Sequence, residues 1–437
     1  MNKAILLFMV FPFCVMADED CATTRHVPTH EMTLSEVVDM GLCRNPATAA
    51  AYMALQSARF SKNAAHSVYL PTFSGSANAQ RSHTEHDDWN YSASISASYL
   101  IFDFGKRESD FAQTLATYRA TGFDYDETIQ NYIFSVIGAY YALLIADADV
   151  SAAQSALTVA QTAKNTADKK FDAGAVAKAD VYRADTNLAS SKLALERAKN
   201  NREIAKGTLL NSLSFPADEE IKIKDMPAEF GSDTEIENID KLISIAQKQR
   251  PDLLKANTQT SAAMYRKRSA FLKNLPSFTI DGTVTVNDKT VGGMFDNMTA
   301  KTSGKIGASI SMPIFTGFAN FYNARAAGAD YENTKYMQEN VSNNANMDVF
   351  SAFQNYKTAK TVLNQTQTLL KSAIESERVT SGMYKVGRST MLDWQTAQSE
   401  LVDARKQNNS AKYDLFVKRA SLALAIGDIK SGLKDKK

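Results

Sequence analysis

The chain changes its hydrophobic period partway along. Tyr91, Ala93, Ile95, Ala97 and Tyr99 alternate with Ser92, Ser94, Ser96 and Ser98. Strand side chains point alternately to opposite faces, so this stretch predicts a strand with one apolar and one wet face. Past Gly105 the period becomes helical. From Phe111 through Tyr132, Val136, Leu143 and Leu157 to Phe171, apolar positions step by four and three, with Lys164 as the charged exception. A sustained repeat of ~3.5 residues holds one seam against a neighbour through left-handed supercoiling. The predicted helix runs about 100 Å at ~1.5 Å per residue.

The second half of the chain repeats this pattern. Asn45-Pro46 is answered by Arg250-Pro251, Leu70-Pro71 by Leu275-Pro276, Ile101-Phe102 by Ile314-Phe315, and Phe171-Asp-Ala-Gly174 by Tyr384-Lys-Val-Gly387. The first repeat, 18–240, is expected to hold short helices, strands at about 72–81 and 89–102, a long helix over 105–171, a helix over 177–213 and a connector, 214–240, packed outside the helices. The second, 241–437, is expected to hold strands at about 277–287 and 302–315, a long helix over 317–384, a helix over 389–427 and a short tail. Its strands alternate as well: Phe278, Ile280, Val284 and Val286 against Thr279, Asp281, Thr283 and Thr285, then Ile306 and Ile310 against Lys305 and Ser309. The second long helix is less regular over its Asn-rich part, Asn340 to Asn346.

Four strands do not close a barrel, which needs about eight or more. The predicted fold class is therefore mainly α with a membrane β-barrel. Long antiparallel coiled helices would form a trimeric α-barrel continuous with a 12-stranded β-barrel, four strands per protomer. Ring closure removes every sheet edge that lipid would not tolerate.

Charge adds little. Lys and Arg number 49 against 48 Asp and Glu, so nothing favours nucleic acid or an anionic surface. Met1-Asn-Lys followed by the apolar run Ala4 to Val15 reads as a secretory signal peptide, 1–17, too short to span a bilayer. Its removal takes one lysine and leaves the mature chain formally neutral. Past it no uninterrupted run of eighteen apolar residues occurs, so spanning is expected by strands rather than by a helix. Cys21 and Cys43 remain, and an oxidising compartment lets them form a disulfide; two separate thiols are the alternative.

Taken together in order, duplication and spacing, these motifs resemble the TolC family of outer-membrane efflux and secretion channels, from Leu34 to Gly427. The resemblance implies a homotrimer in outer-membrane lipid, with a large periplasmic extension that meets a periplasmic adaptor (membrane fusion) protein and an inner-membrane pump of RND or ABC type. The turns at Gly174, Ala175 and Val176 and at Val386, Gly387 and Ser389 would contact the adaptor. Tyr384 and Asp393 occupy family constriction positions, with Asp180 and Arg388 as further candidates. Arg388 stands one place earlier than the family arginine. Glycine leaving a helix, and Ser, Thr or Asp capping the next one, would by themselves account for each turn.

No phosphate-binding loop, Gly-x-Ser-x-Gly or His-Glu-x-x-His occurs, so an enzyme, a cofactor or a metal site is not expected. His83, Glu85, His86, Asp87 and Asp88 read as a solvated loop between strands, and Trp89 beside them suits a membrane interface. The expected function is a passive exit duct for a tripartite efflux or type I secretion system. The alternative is a structural or adhesive trimeric coil anchored in the outer membrane without a channel.

Overall fold

The structure, a computed structural model, describes residues 27–28, 30–83, 87–225, 238–291 and 301–429. The expected signal peptide, Cys21, Glu85 and His86 lie outside the described residues. The helices are α1 (Leu34–Arg44), α2 (Pro46–His66), α3 (Lys106–Asp172), α4 (Lys178–Ser212), α5 (Ile239–Gln249), α6 (Pro251–Leu272), α7 (Ala319–Lys385) and α8 (Met391–Ala425). The strands are β1 (Thr72–His83), β2 (Asp87–Phe102), β3 (Ser277–Val291) and β4 (Lys301–Ser311). The protein is thus mainly helical with one four-stranded antiparallel sheet.

Two compact units follow, and each draws on both sequence repeats. One takes the chain up to Ala50, Thr128–Ala246 and the chain from Met347; the other takes Ala51–Glu127 and Gln247–Asn346.

In the first unit, α1 starts with a reciprocal cap. The Thr33 hydroxyl accepts from the Glu36 N–H at 3.4 Å, and the Glu36 carboxylate accepts from the Thr33 N–H at 2.8 Å, so two orphan donors of the first turn are satisfied. Leu34, Val37 and Val38 then fall on one buried face. The Asn-Pro pair that opens α2, answered by Arg250-Pro251 in the second repeat, has a local explanation. Asn45 Oδ1 accepts from the N–H groups of Ala47 at 2.8 Å and Thr48 at 3.3 Å, while Pro46 takes the first helical position, where no N–H is needed. Tyr140, Tyr141, Leu209, Leu210 and Leu213 are fully buried, with the Tyr141 ring stacked on Phe416 at 5.4 Å between centroids. Leu242 and Ala246 of α5 pack with Val349, Ala352 and Tyr356 of α7 and with Leu422 and Ala425 of α8.

The connector is fastened to the rest of the first unit. Its described part buries Phe215 and Ile221 and bonds to the N-terminal segment, Met32 N–H to Lys222 O and Lys224 N–H to Met32 O, both at 2.9 Å. One window of α3 is apolar enough by average composition to cross a membrane, although no uninterrupted apolar run exists. Tyr132, Ile133, Val136, Ile137, Tyr140 and Leu143 of that helix are buried in the protein's own core, which accounts for the apolarity without lipid.

In the second unit the sheet order is β1-β2-β3-β4, so the last strand of the first repeat pairs with the first strand of the second. The register runs Phe73↔Ala97, Ala97↔Gly282 and Gly282↔Ile306 across the apolar face. β4 closes at Ser311, short of the expected 315, because Pro313 has no N–H to give a ladder. β2 reverses into α3 through two left-handed residues, Phe104 (φ 58°) and Gly105 (φ 89°), and the same pair of conformations recurs at Gly317 (φ 59°) and Phe318 (φ 64°) with glycine and phenylalanine exchanged. Only one residue of each pair is glycine, so each turn holds a phenylalanine against a cost of roughly 1–2 kcal/mol. The Asp103 carboxylate supports the first turn by accepting from the N–H of Arg107 at 2.8 Å and of Gly105 at 3.3 Å.

Candidate functional site

Two places on the chain carry the expected chemistry: the helix-to-helix turns, which belong to the first unit, and the sheet, which belongs to the second.

Both turns use the same device. In α3–α4, the N–H of Gly174 bonds to Phe171 O and that of Ala175 to Lys170 O, both at 2.8 Å. In α7–α8, the N–H of Gly387 bonds to Tyr384 O at 3.1 Å and that of Arg388 to Met383 O at 2.8 Å. Gly174 (φ 69°) and Gly387 (φ 80°) supply the left-handed residue this closure needs. Gly174, Ala175, Val386, Gly387 and Arg388 are exposed, and Val176 and Ser389 are half-buried.

The second turn is the more heavily built. Asp393 Oδ2 accepts from the Thr390 hydroxyl at 2.7 Å, the Thr390 N–H at 2.9 Å and the Ser389 hydroxyl at 3.1 Å, and the Asp393 N–H returns to the Thr390 hydroxyl at 3.1 Å. The Thr390 hydroxyl, its N–H and then the Ser389 hydroxyl hold this carboxyl below the usual carboxylate range. In the first turn Asp180 receives less. Its N–H closes on Ala177 O at 3.0 Å, and its carboxylate lies 3.7 Å from Arg183 on the same helix.

Tyr384 is placed differently from a side chain projecting into a passage. It is 2% exposed, with its ring 5.3 Å from that of Trp394 and the Lys170 ammonium over the ring, 4.4 Å from its centroid. Lys170 also donates to the Tyr384 carbonyl, and Trp394 Nε1 donates to Glu377 at 2.9 Å. Ala163, Ala167 and Ala184 complete this cluster with Met391. The Tyr384 hydroxyl is buried without a hydrogen-bond partner, and burial pushes it above the ordinary tyrosine value. Lys170, Glu377 and Trp394 were not anticipated from sequence. The available signal was Met391, Trp394 and Leu401 recurring at helical spacing on α8.

Lys164, the charged exception in the α3 seam, is explained by its partners. It lies 2.5 Å from Asp168 on its own helix and 3.4 Å from Asp185 on α4. Asn187 and Gln398 add a hydrogen bond of 3.0 Å between α4 and α8.

On the sheet, side-chain hydroxyls pair across the wet face: Ser76 with Ser94 at 2.8 Å, Ser96 with Thr283 at 3.2 Å, and Thr279 with Ser309 at 2.6 Å. Asp281 accepts from Ser98 at 2.6 Å and from Ser309 at 3.2 Å. The opposite face presents exposed Phe73, Ile95, Val284 and Ile306. Trp89 stacks on Tyr91 at 6.0 Å, 9° from parallel, near the hairpin end. Cys43 is disulfide-bonded. Among the described residues no cluster of three metal-ligating side chains occurs.

The family description "Outer membrane efflux protein" matches residues 37–214 and 242–428, both repeats of the chain. "Toxin and drug export protein A" of Aggregatibacter actinomycetemcomitans is 24% identical over 391 residues, covering 88% of this chain and 83% of that protein. "Outer membrane protein TolC" of Escherichia coli (strain K12) is 23% identical over 353 residues, covering 77% and 69%. The Campylobacter jejuni CmeC outer membrane channel shares the fold with a TM-score of 0.77 at 21% identity, over 90% of this chain and 85% of that one. Both repeats fall within one transport family whose place is the outer membrane, and the chain belongs to it: it is an outer membrane efflux protein of the TolC type.

Proposed function

We propose that three copies of this chain assemble into the exit duct of a tripartite efflux or type I secretion system, passive in itself and recruited by a periplasmic adaptor and an inner-membrane pump. The observation that carries this reading is the pair of open edges. β1 and β4 bound a sheet of four strands with no further strand partner among the described residues, and lipid leaves no way to satisfy such edges except closure with neighbouring copies. Twelve strands from three protomers would close the ring. The ladder of hydroxyls on one face suits a watered lumen, and it argues against the alternative of an anchored coil without a channel.

In this assembly the two turns would form the adaptor-contacting tip through Gly174, Ala175, Val176, Val386, Gly387 and Ser389. Asp180, Arg388 and Asp393 would narrow the passage there, with Tyr384 acting from inside the protomer to set the turn that carries them. An aspartate ring on a threefold axis would select cations. Cys21 would be the partner of Cys43. A relative named for toxin and drug export suggests small toxic compounds or secreted protein as cargo.

The test is single-channel conductance of the purified mature protein in a planar bilayer, with its oligomeric mass determined in the same detergent. A trimer giving discrete, cation-preferring openings is expected, and Asp180→Ala with Asp393→Ala should change that preference. A stable oligomer that never conducts would discard the duct in favour of the anchored coil.

A further inference from the structure

The wet face of the sheet carries charges that the tip does not account for. Its rows can be followed strand by strand: Thr72, Ser98, Asp281 and Gly307 form one row, Ser74, Ser96, Thr283 and Lys305 the next, and Asn78, Ser92, Asn287 and Lys301 lie two rows further on. Rows on one face stand ~7 Å apart along the strand. Asp281 lies toward the strand ends that join the helices, and Lys301 lies toward the hairpins. Among the described side chains of this face, one carboxylate therefore stands against two lysines. Asp281 is held by Ser98 and Ser309, while neither Lys301 nor Lys305 has an ion-pair partner among the described residues, and both are exposed.

We infer that Asp281, Lys305 and Lys301 form a charge step along the sheet lumen that sets ion preference and makes conduction asymmetric, a selectivity element separate from the aspartates of the helical turns. It rests on the trimeric-channel reading above. Threefold repetition would put three like charges at each level. With wet walls and lipid behind them, the lysine levels repel cations and the aspartate level attracts them. Fixed charge that changes sign along a pore passes current more readily in one direction than in the other. The occupants such a lumen would sense are small ions and charged solutes.

The experiment measures reversal potentials and current–voltage curves of the full mature trimer in planar bilayers under a KCl gradient. Lys301→Gln with Lys305→Gln should raise the cation-to-anion permeability ratio about twofold or more, Asp281→Asn should lower it by a similar factor, and both shifts should fade near 1 M salt, where the screening length falls from ~10 Å to ~3 Å. A purely structural role would alter trimer yield or open time without moving the ratio in opposite directions. Lys305→Ser, which matches its neighbour on the same face, Ser303, serves if the glutamine variant assembles poorly. Unchanged ratios and unchanged asymmetry at low salt, in variants that still form conducting trimers, overturn the charge step alone. A wild-type trimer that does not conduct overturns the channel reading and the charge step with it.

Discussion

The hydroxyl of Tyr140 donates to the carbonyl of Lys224 at 2.5 Å, and it lies 3.4 Å from the carbonyl of Met32. One side chain of α3 thus fastens the connector and the N-terminal segment at the point where those two segments bond to each other. Tyr140 is fully buried, and burial pushes its hydroxyl far above the ordinary tyrosine value, so it stays a neutral donor throughout the working pH range. Tyr132, bonded to Ser212 O at 2.8 Å, is likewise pushed up to about 12 by burial.

Tyr140→Phe should therefore leave the Lys224 carbonyl without its donor at a cost of about 1–3 kcal/mol. The connector should become a site of limited proteolysis while α3 keeps its helix. Cleavage kinetics on the mature protein check this; protection equal to wild type would mean that the backbone pairing with Met32 suffices.

At the second turn, Tyr384→Phe should be neutral or slightly stabilising, because the hydroxyl it removes is buried and unpartnered. Trp394→Ala should cost about 3–5 kcal/mol, since it removes a fully buried ring and strands Glu377. Hydrogen exchange across 377–398 separates the two. If the phenylalanine variant instead conducts more than wild type, the hydroxyl is engaged by a neighbouring copy.

The pH dependence of that turn follows from Asp393. Its folded-state carboxyl titrates lower than in the unfolded chain, so its capping contribution is fully present above the unfolded value, about 4, and is lost as pH falls through the lower folded value. Exchange of the N–H groups at the start of α8 should therefore accelerate only in acid below pH ~4. Asp393→Asn should flatten that dependence; a variant with the wild-type acid profile would assign the transition to another group.

Cys43 is disulfide-bonded, and Cys21 is the proposed partner. Mature protein should gain mass from alkylation only after reduction, and Cys43→Ser should lose about 2–4 kcal/mol of stability. Two thiols alkylated without reductant would exclude the bond.

Much of the fold was legible because it is periodic. The alternation around Ile95 and Val284 marks strands, and the stepped apolar positions from Phe111 to Phe171 mark α3, since local geometry ties each period to one element. The Pro-containing repeats mark helix and strand starts for a similarly local reason: proline constrains its own backbone. The irregular Asn-rich stretch, Asn340 to Asn346, offered no such rule, yet α7 runs through it with Ala345 buried. β4 stops at Ser311 although apolar Ile314 and Phe315 continue the strand-like pattern, because the donor that Pro313 lacks outweighs that pattern.

The sequence by itself determined the two repeats, the kinds of element they contain, the glycine turns and the family resemblance, because each depends on neighbours close along the chain. Only the tertiary structure decided that β2 pairs with β3 across the repeats, that Lys164 meets Asp185, and that Tyr384 turns inward onto Trp394 under Lys170. Those partners are separated along the chain and joined by packing, and composition carries no record of which distant side chain will lie opposite.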